Sequence, residues 1–78
     1  MVMTLYALVK TFSLGDCLSV GLYRDEETAH QEMVNQVHGR KQELGDDVHD
    51  ISVEYRIAKV YYDGGSLADM WTIVPCEF

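Results

Sequence analysis

The sequence predicts one small α+β domain spanning residues 1–78, ordered β-β-α-β-β, with one helix packed on one face of a four-stranded antiparallel sheet in the order 2-1-3-4. Three observations lead there. Two β-rich runs near the start flank a short Gly-containing turn. A stretch with an acidic start, helical spacing and a Gly stop follows, and period-two alternation then returns from Ile51 onward. Period two marks strands and period 3.6 marks a helix, and a helical return after a hairpin makes 2-1-3-4 the natural strand order.

The first run, Thr4 to Phe12, carries Leu5, Ala7 and Val9 on one face and Thr4, Tyr6, Leu8, Lys10 and Phe12 on the other. Both faces are partly apolar, as in a central strand. Ser13-Leu14-Gly15-Asp16 reads as a turn, because Gly accepts positive φ and Ser and Asp bond local backbone groups. Cys17 to Tyr23 alternates cleanly and completes a hairpin. Asp25 is the expected N-cap, with Glu26 and Glu27 against the positive end of the helix dipole. Ala29, Met33, Val37 and Leu44, widened by Val34, form the apolar stripe. Arg40 and Lys41 sit near the negative end, and Gly45 is the stop. Gly39 lies inside this span at a cost of about 1 kcal/mol relative to Ala, which predicts a frayed or bent last turn.

After the acidic connection Gly45–Asp50, a strand begins at Ile51 with Val53, Tyr55 and Ile57 on its apolar face. The apolar phase then slips to Ala58, Val60 and Tyr62, which predicts a β-bulge near Ile57 and Ala58. Asp63-Gly64-Gly65-Ser66 ends that strand. Met70 to Val74 makes a short last one, with Pro75 pointing to a sheet edge. The helix covers one sheet face, and nothing in the chain is left to cover the other.

Thirteen Asp and Glu against six Lys and Arg give a net charge of −7, which repels phosphate and disfavours direct binding of nucleic acid. No apolar run approaches the ~20 residues that cross a bilayer, and no signal-peptide pattern opens the chain. A soluble protein of the cytoplasm is expected, with no membrane contact. Two cysteines, Cys17 and Cys76, fit a reducing compartment better than a disulfide scaffold. Bridging them would require the last strand to lie beside the second. At this length roughly 60% of the unfolded surface is buried on folding, so an apolar sheet face is useful for pairing with a partner.

Catalytic and metal motifs are sparse. His30 and His38 are eight residues apart, about 80° around a helix, rather than the i, i+4 spacing of a metal pair. Cys17 and Cys76 form no CxxC, Gly64-Gly65 lacks the Lys of a phosphate loop, and no order of Ser, His and Asp marks a triad. Neither a cofactor nor a metal is expected. The residues expected to bind a partner are the acidic Asp25, Glu26, Glu27, Glu32, Asp46, Asp47 and Asp50 together with the aromatic Tyr6, Tyr23, Tyr62 and Trp71. Carboxylates held on rigid elements can occupy a basic groove in place of phosphates, and Tyr and Trp are preferred interface anchors. The competing explanations are a solubilising surface for the carboxylates and ordinary core packing for the rings.

Tyr6-Ala7-Leu8-Val9, followed by Val20-Gly21-Leu22-Tyr23-Arg24-Asp25-Glu26-Glu27-Thr28-Ala29, resembles a pattern common in small proteins of phages and mobile elements. A hairpin there ends in a small-apolar-aromatic step before a helix with an acidic start. Size, acidity and the lack of catalytic motifs are also similar to anti-CRISPR proteins. That resemblance implies a non-enzymatic inhibitor that binds a CRISPR effector subunit in the host cytoplasm and blocks its nucleic-acid surface. It assigns no individual residue a role. The alternatives from the residues are a homodimeric interaction module, and a metal-binding or small enzymatic protein using His30, His38 and Cys17.

Overall fold

The computed structural model describes residues 3–12 and 17–77, so the expected turn at Ser13–Asp16 lies outside the described residues. The chain runs β1 (Thr4–Phe12), β2 (Cys17–Tyr23), α1 (Glu26–Leu44), β3 (Val48–Val53), β4 (Ile57–Tyr62) and β5 (Leu67–Glu77). Short 3-10 turns at Gly45–Asp47 and Asp63–Gly65 complete it. The class is α+β, as the alternation and capping predict. The sheet, however, has five antiparallel strands in the order β2-β1-β5-β4-β3, not four in the order 2-1-3-4.

The helix begins where capping chemistry places it. Asp25 holds extended backbone angles and its Oδ1 accepts from the Thr28 backbone N–H at 2.8 Å and from the Thr28 hydroxyl at 2.7 Å. These two bonds, the hydroxyl's foremost, hold the Asp25 carboxyl below its ordinary pKa. Gly45 ends the helix at φ 58°, where its N–H bonds back to the Lys41 carbonyl. An L-residue avoids that φ, and Gly does not. Gly39 does not interrupt the helix, which continues to Leu44 without a break.

The phase slip at Ile57 and Ala58 is a chain reversal, not a bulge. Glu54-Tyr55-Arg56 turns β3 into β4, closed by Glu54 N–H to the Ile57 carbonyl at 2.7 Å. It lacks Gly, Pro and Asn, and the start of the helix holds it instead. The His30 Nδ1–H donates to the Tyr55 carbonyl at 2.8 Å, the two rings stack at 4.6 Å, and Arg56 pairs with Glu26. The register irregularities lie elsewhere, opposite Leu8 and Val9 and between Val48 and Asp50.

The last strand also differs from expectation. It spans eleven residues and lies between β1 and β4. Pro75 is nonetheless compatible, because pairing with β4 ends at Ile57 opposite Thr72, and beyond it β5 has β1 as its neighbour. The antiparallel register places Cys17 opposite Thr11 and Cys76 opposite Leu5, six residues apart along β1. That is about 20 Å, and a disulfide needs its Cα atoms within about 7 Å.

The core lies between helix and sheet. Leu8, Ala29, Met33, Val37, Ala58, Val60, Trp71 and Ile73 are buried, with Tyr6, Tyr23, Leu44, Val48 and Ile51 packed against them. The Cα radius of gyration is 13.2 Å, above the roughly 11.5 Å of a compact domain of this length. The shortest dimension is 17 Å, which fits one helix layer on one sheet layer. No helix among the described residues is long and apolar enough to cross a membrane.

Candidate interaction surface

Side chains alternate across the sheet, so the pairing register sorts them into two faces. Leu8, Trp71, Ile73, Ala58 and Val60 share the helix side. On the opposite side the register places Leu5, Ala7, Val9 and Thr11 of β1 with Ala68, Met70, Thr72, Val74 and Cys76 of β5, Ile57, Lys59 and Tyr61 of β4, Leu22 of β2, and Ser52 and Asp50 of β3. None of these is buried, and Leu22, Val74 and Ile57 are 59%, 42% and 39% exposed. One cation, Lys59, and one anion, Asp50, stand among mostly apolar and small groups. The two are diagonal neighbours, since Lys59 lies opposite Ser52.

The aromatic residues expected to bind a partner lie on the other side. Trp71 is fully buried, and Tyr6 and Tyr23 pack against the core beneath the helix. Burial, and then the nearby Glu32 carboxylate, push the Tyr23 phenol up. Tyr62 faces Arg40 and Asp69. The reason is register: Tyr6 lies opposite Tyr23, and Trp71 opposite both Lys10 and Ala58, so all share the covered face. Tyr61 is the aromatic that the described register leaves on the open one.

The seven acidic candidates do not form one patch. Asp25, Glu26 and Glu27 stand at the helix start and Asp46 and Asp47 past its end, roughly 28 Å away by helical rise. Asp25 is occupied in capping, Glu26 in the Arg56 pair, and Glu32 accepts from Gln36 at 3.2 Å. Glu27, Asp46, Asp47 and Asp50 are exposed and make no ion pair with a described residue. His30 is engaged with Tyr55, and His38 accepts from Gln42 at 3.4 Å. No cavity occurs among the described residues, and no three of their His, Cys, Asp and Glu side chains could share a metal ion.

One polar cluster escaped sequence reasoning. Asp69 is fully buried; its Oδ2 accepts from Arg40 Nε at 2.6 Å and lies 4.0 Å from Lys10 Nζ, and its Oδ1 accepts from the Tyr62 hydroxyl at 3.1 Å. Lys10 lies over the Phe12 and Trp71 rings at 4.8 and 4.9 Å. Burial opposes the charge of Arg40, but its bonds to Asp69 and Glu43 and the neighbouring Tyr62 hydroxyl outweigh that and raise its pKa. Sequence position suggested a helix-end cation at Arg40 and left Asp69 just before the last strand, Met70 to Val74. The alternation Asp69, Trp71, Ile73 carried the signal, because it puts an acid in step with two core residues. The cluster ties α1 to β1, β4 and β5 and faces the core rather than the open surface. Comparison of the chain with protein-family models, curated proteins and solved structures gives no match.

Proposed function

We propose that this chain is a non-catalytic protein-binding module whose working surface is the uncovered face of its sheet. The observation that supports this reading is the exposure of a largely apolar five-strand face, on which every described residue keeps contact with solvent. Exposed apolar patches on ordinary monomers rarely exceed a few hundred Å² and mark interaction sites when they do. At about 3.3 Å per residue and about 4.8 Å between strands, this face tiles roughly 600 Å².

A second reading is the inhibitor of anti-CRISPR type, in which carboxylates occupy the nucleic-acid surface of a partner complex. The net charge of −7 and the exposed Glu27, Asp46, Asp47 and Asp50, which form no ion pair with a described residue, favour it. Affinity capture from the source cell separates the two. The wild type is compared with Ile57→Lys/Val74→Lys on the open face and with Glu27→Lys/Asp47→Lys on the anionic ends. Loss of the captured protein in the first variant only, with binding that persists in salt, supports the sheet-face reading. Loss in the second only, with binding that weakens as salt rises, overturns it in favour of the anionic one.

A further inference from the structure

We infer that the occupant of the open sheet face is a second copy of this chain, and that the two copies form a face-to-face sandwich with both helices outward. The inference rests on the sheet-face reading and names its partner. Area is the first argument. Two faces of roughly 600 Å² remove roughly 1,200 Å² from water when they meet, and more once side-chain relief is counted, which reaches the range of specific protein interfaces. Sheets pack face to face at about 10 Å with interdigitated side chains, and a surface of Leu5, Val9, Ile57, Met70 and Val74 has the composition of such a layer.

Charge is the second argument. The chain carries −7 overall, yet the described residues of this face carry one Lys and one Asp, which balance. A strongly basic or strongly acidic partner finds nothing complementary there. A second copy meets an equally neutral surface, and the exposed Glu27, Asp46 and Asp47 lie at the helix ends rather than on it. Lys59 makes no ion pair with a described residue, so a wholly apolar occupant would strand its charge. A second copy brings a further carboxylate, Asp50, to the contact, which a wholly apolar occupant does not.

An interface at the lower end of the specific range, between two like-charged molecules, dissociates in the micromolar range and tightens as salt screens the repulsion. This trend is opposite to that of an acidic surface seated on a basic partner. Sedimentation velocity from low to high micromolar protein tests it. The expected result is a monomer–dimer equilibrium, several-fold tighter in high salt. Ile57→Lys/Val74→Lys should be monomeric throughout with an unchanged circular dichroism spectrum, because both positions are solvent-exposed in a single copy. Gln31→Lys on the outer helix surface should dimerise like the wild type. Contacts between isotope-labelled and unlabelled copies should fall on Val9, Ile57 and Val74 methyls. A monomer at all concentrations, or contacts on the helix, overturns the inference. If the chain is monomeric, the sheet-face reading stands on its own where Ile57→Lys/Val74→Lys abolishes capture of a different protein, and falls where that capture is intact.

Discussion

Gly39 lies in the third quarter of α1, and a Cβ built there meets nothing within 4 Å. Its substitution by Ala therefore adds no clash and removes the backbone freedom that glycine loses on folding, a gain of about 1 kcal/mol. Unfolding entropy near 2.1 cal/mol/K per residue over 78 residues is about 160 cal/mol/K, so Tm should rise by about 6 °C. Thermal unfolding followed by circular dichroism at the helix band measures it, with Gly45→Ala as the opposing control. Gly45 sits at φ 58°, where an L-residue is strained, so that variant should melt below the wild type by a comparable amount. An unchanged or lowered Tm for Gly39→Ala would mean that the segment after Gly39 is not helical in solution. Arg40 would then not be delivered to Asp69 by the helix, and the account of the polar cluster would fall with it.

Removing the buried carboxylate, Asp69→Ala, strands Arg40 and Lys10 against the core and should cost about 3 kcal/mol by urea unfolding; a loss within 0.5 kcal/mol would show that the cluster is solvated. His30→Ala removes the bond to the Tyr55 carbonyl and the ring stack, and should cost about 1 kcal/mol and speed amide exchange at Glu54, with Leu8 and Trp71 amides unchanged. Asp25 has a lowered pKa when folded, so its contribution is present above the unfolded value of about 3.9 and is lost as pH falls through the folded one. Asp25→Asn should therefore flatten the dependence of stability on pH below about pH 4; an unaltered slope in an acid titration of unfolding would contradict this.

The parts of the fold legible in the sequence are those held by local chemistry. Asp25, Glu26, Glu27 and Gly45 announce the helix ends because a cap is made by residues within a few positions of each other. The parts that misled depend on distant residues. Glu54-Tyr55-Arg56 has no turn composition of its own, and His30 and Glu26, more than 20 residues earlier, hold it. The hairpin therefore looked like one strand with a slipped phase, and the strand count fell to four. With one strand missing, the last could only be placed at the rim, although Asp69 disguised a long central strand. The open face was foreseeable because a single helix covers only one side of a sheet. Its aromatic content was not, since which parity faces the helix is decided by register across β1, β5 and β4.

Because β5 joins the β1–β2 hairpin to the β3–β4 hairpin, neither half can share a sheet with the other until residues 67–77 arrive. Each hairpin forms from near neighbours, whereas the joining step closes Thr4 against Glu77, almost the full sequence distance. Loop closure of that span precedes any reward, which places the rate-limiting event at strand insertion and makes folding slow for so short a chain. During that interval two hairpins with unpaired edges coexist, and the same strand presented in trans by a neighbouring molecule could fill the gap. The tendency of this protein to swap or aggregate during refolding should accordingly track the insertion of one central ribbon rather than the strength of its helix.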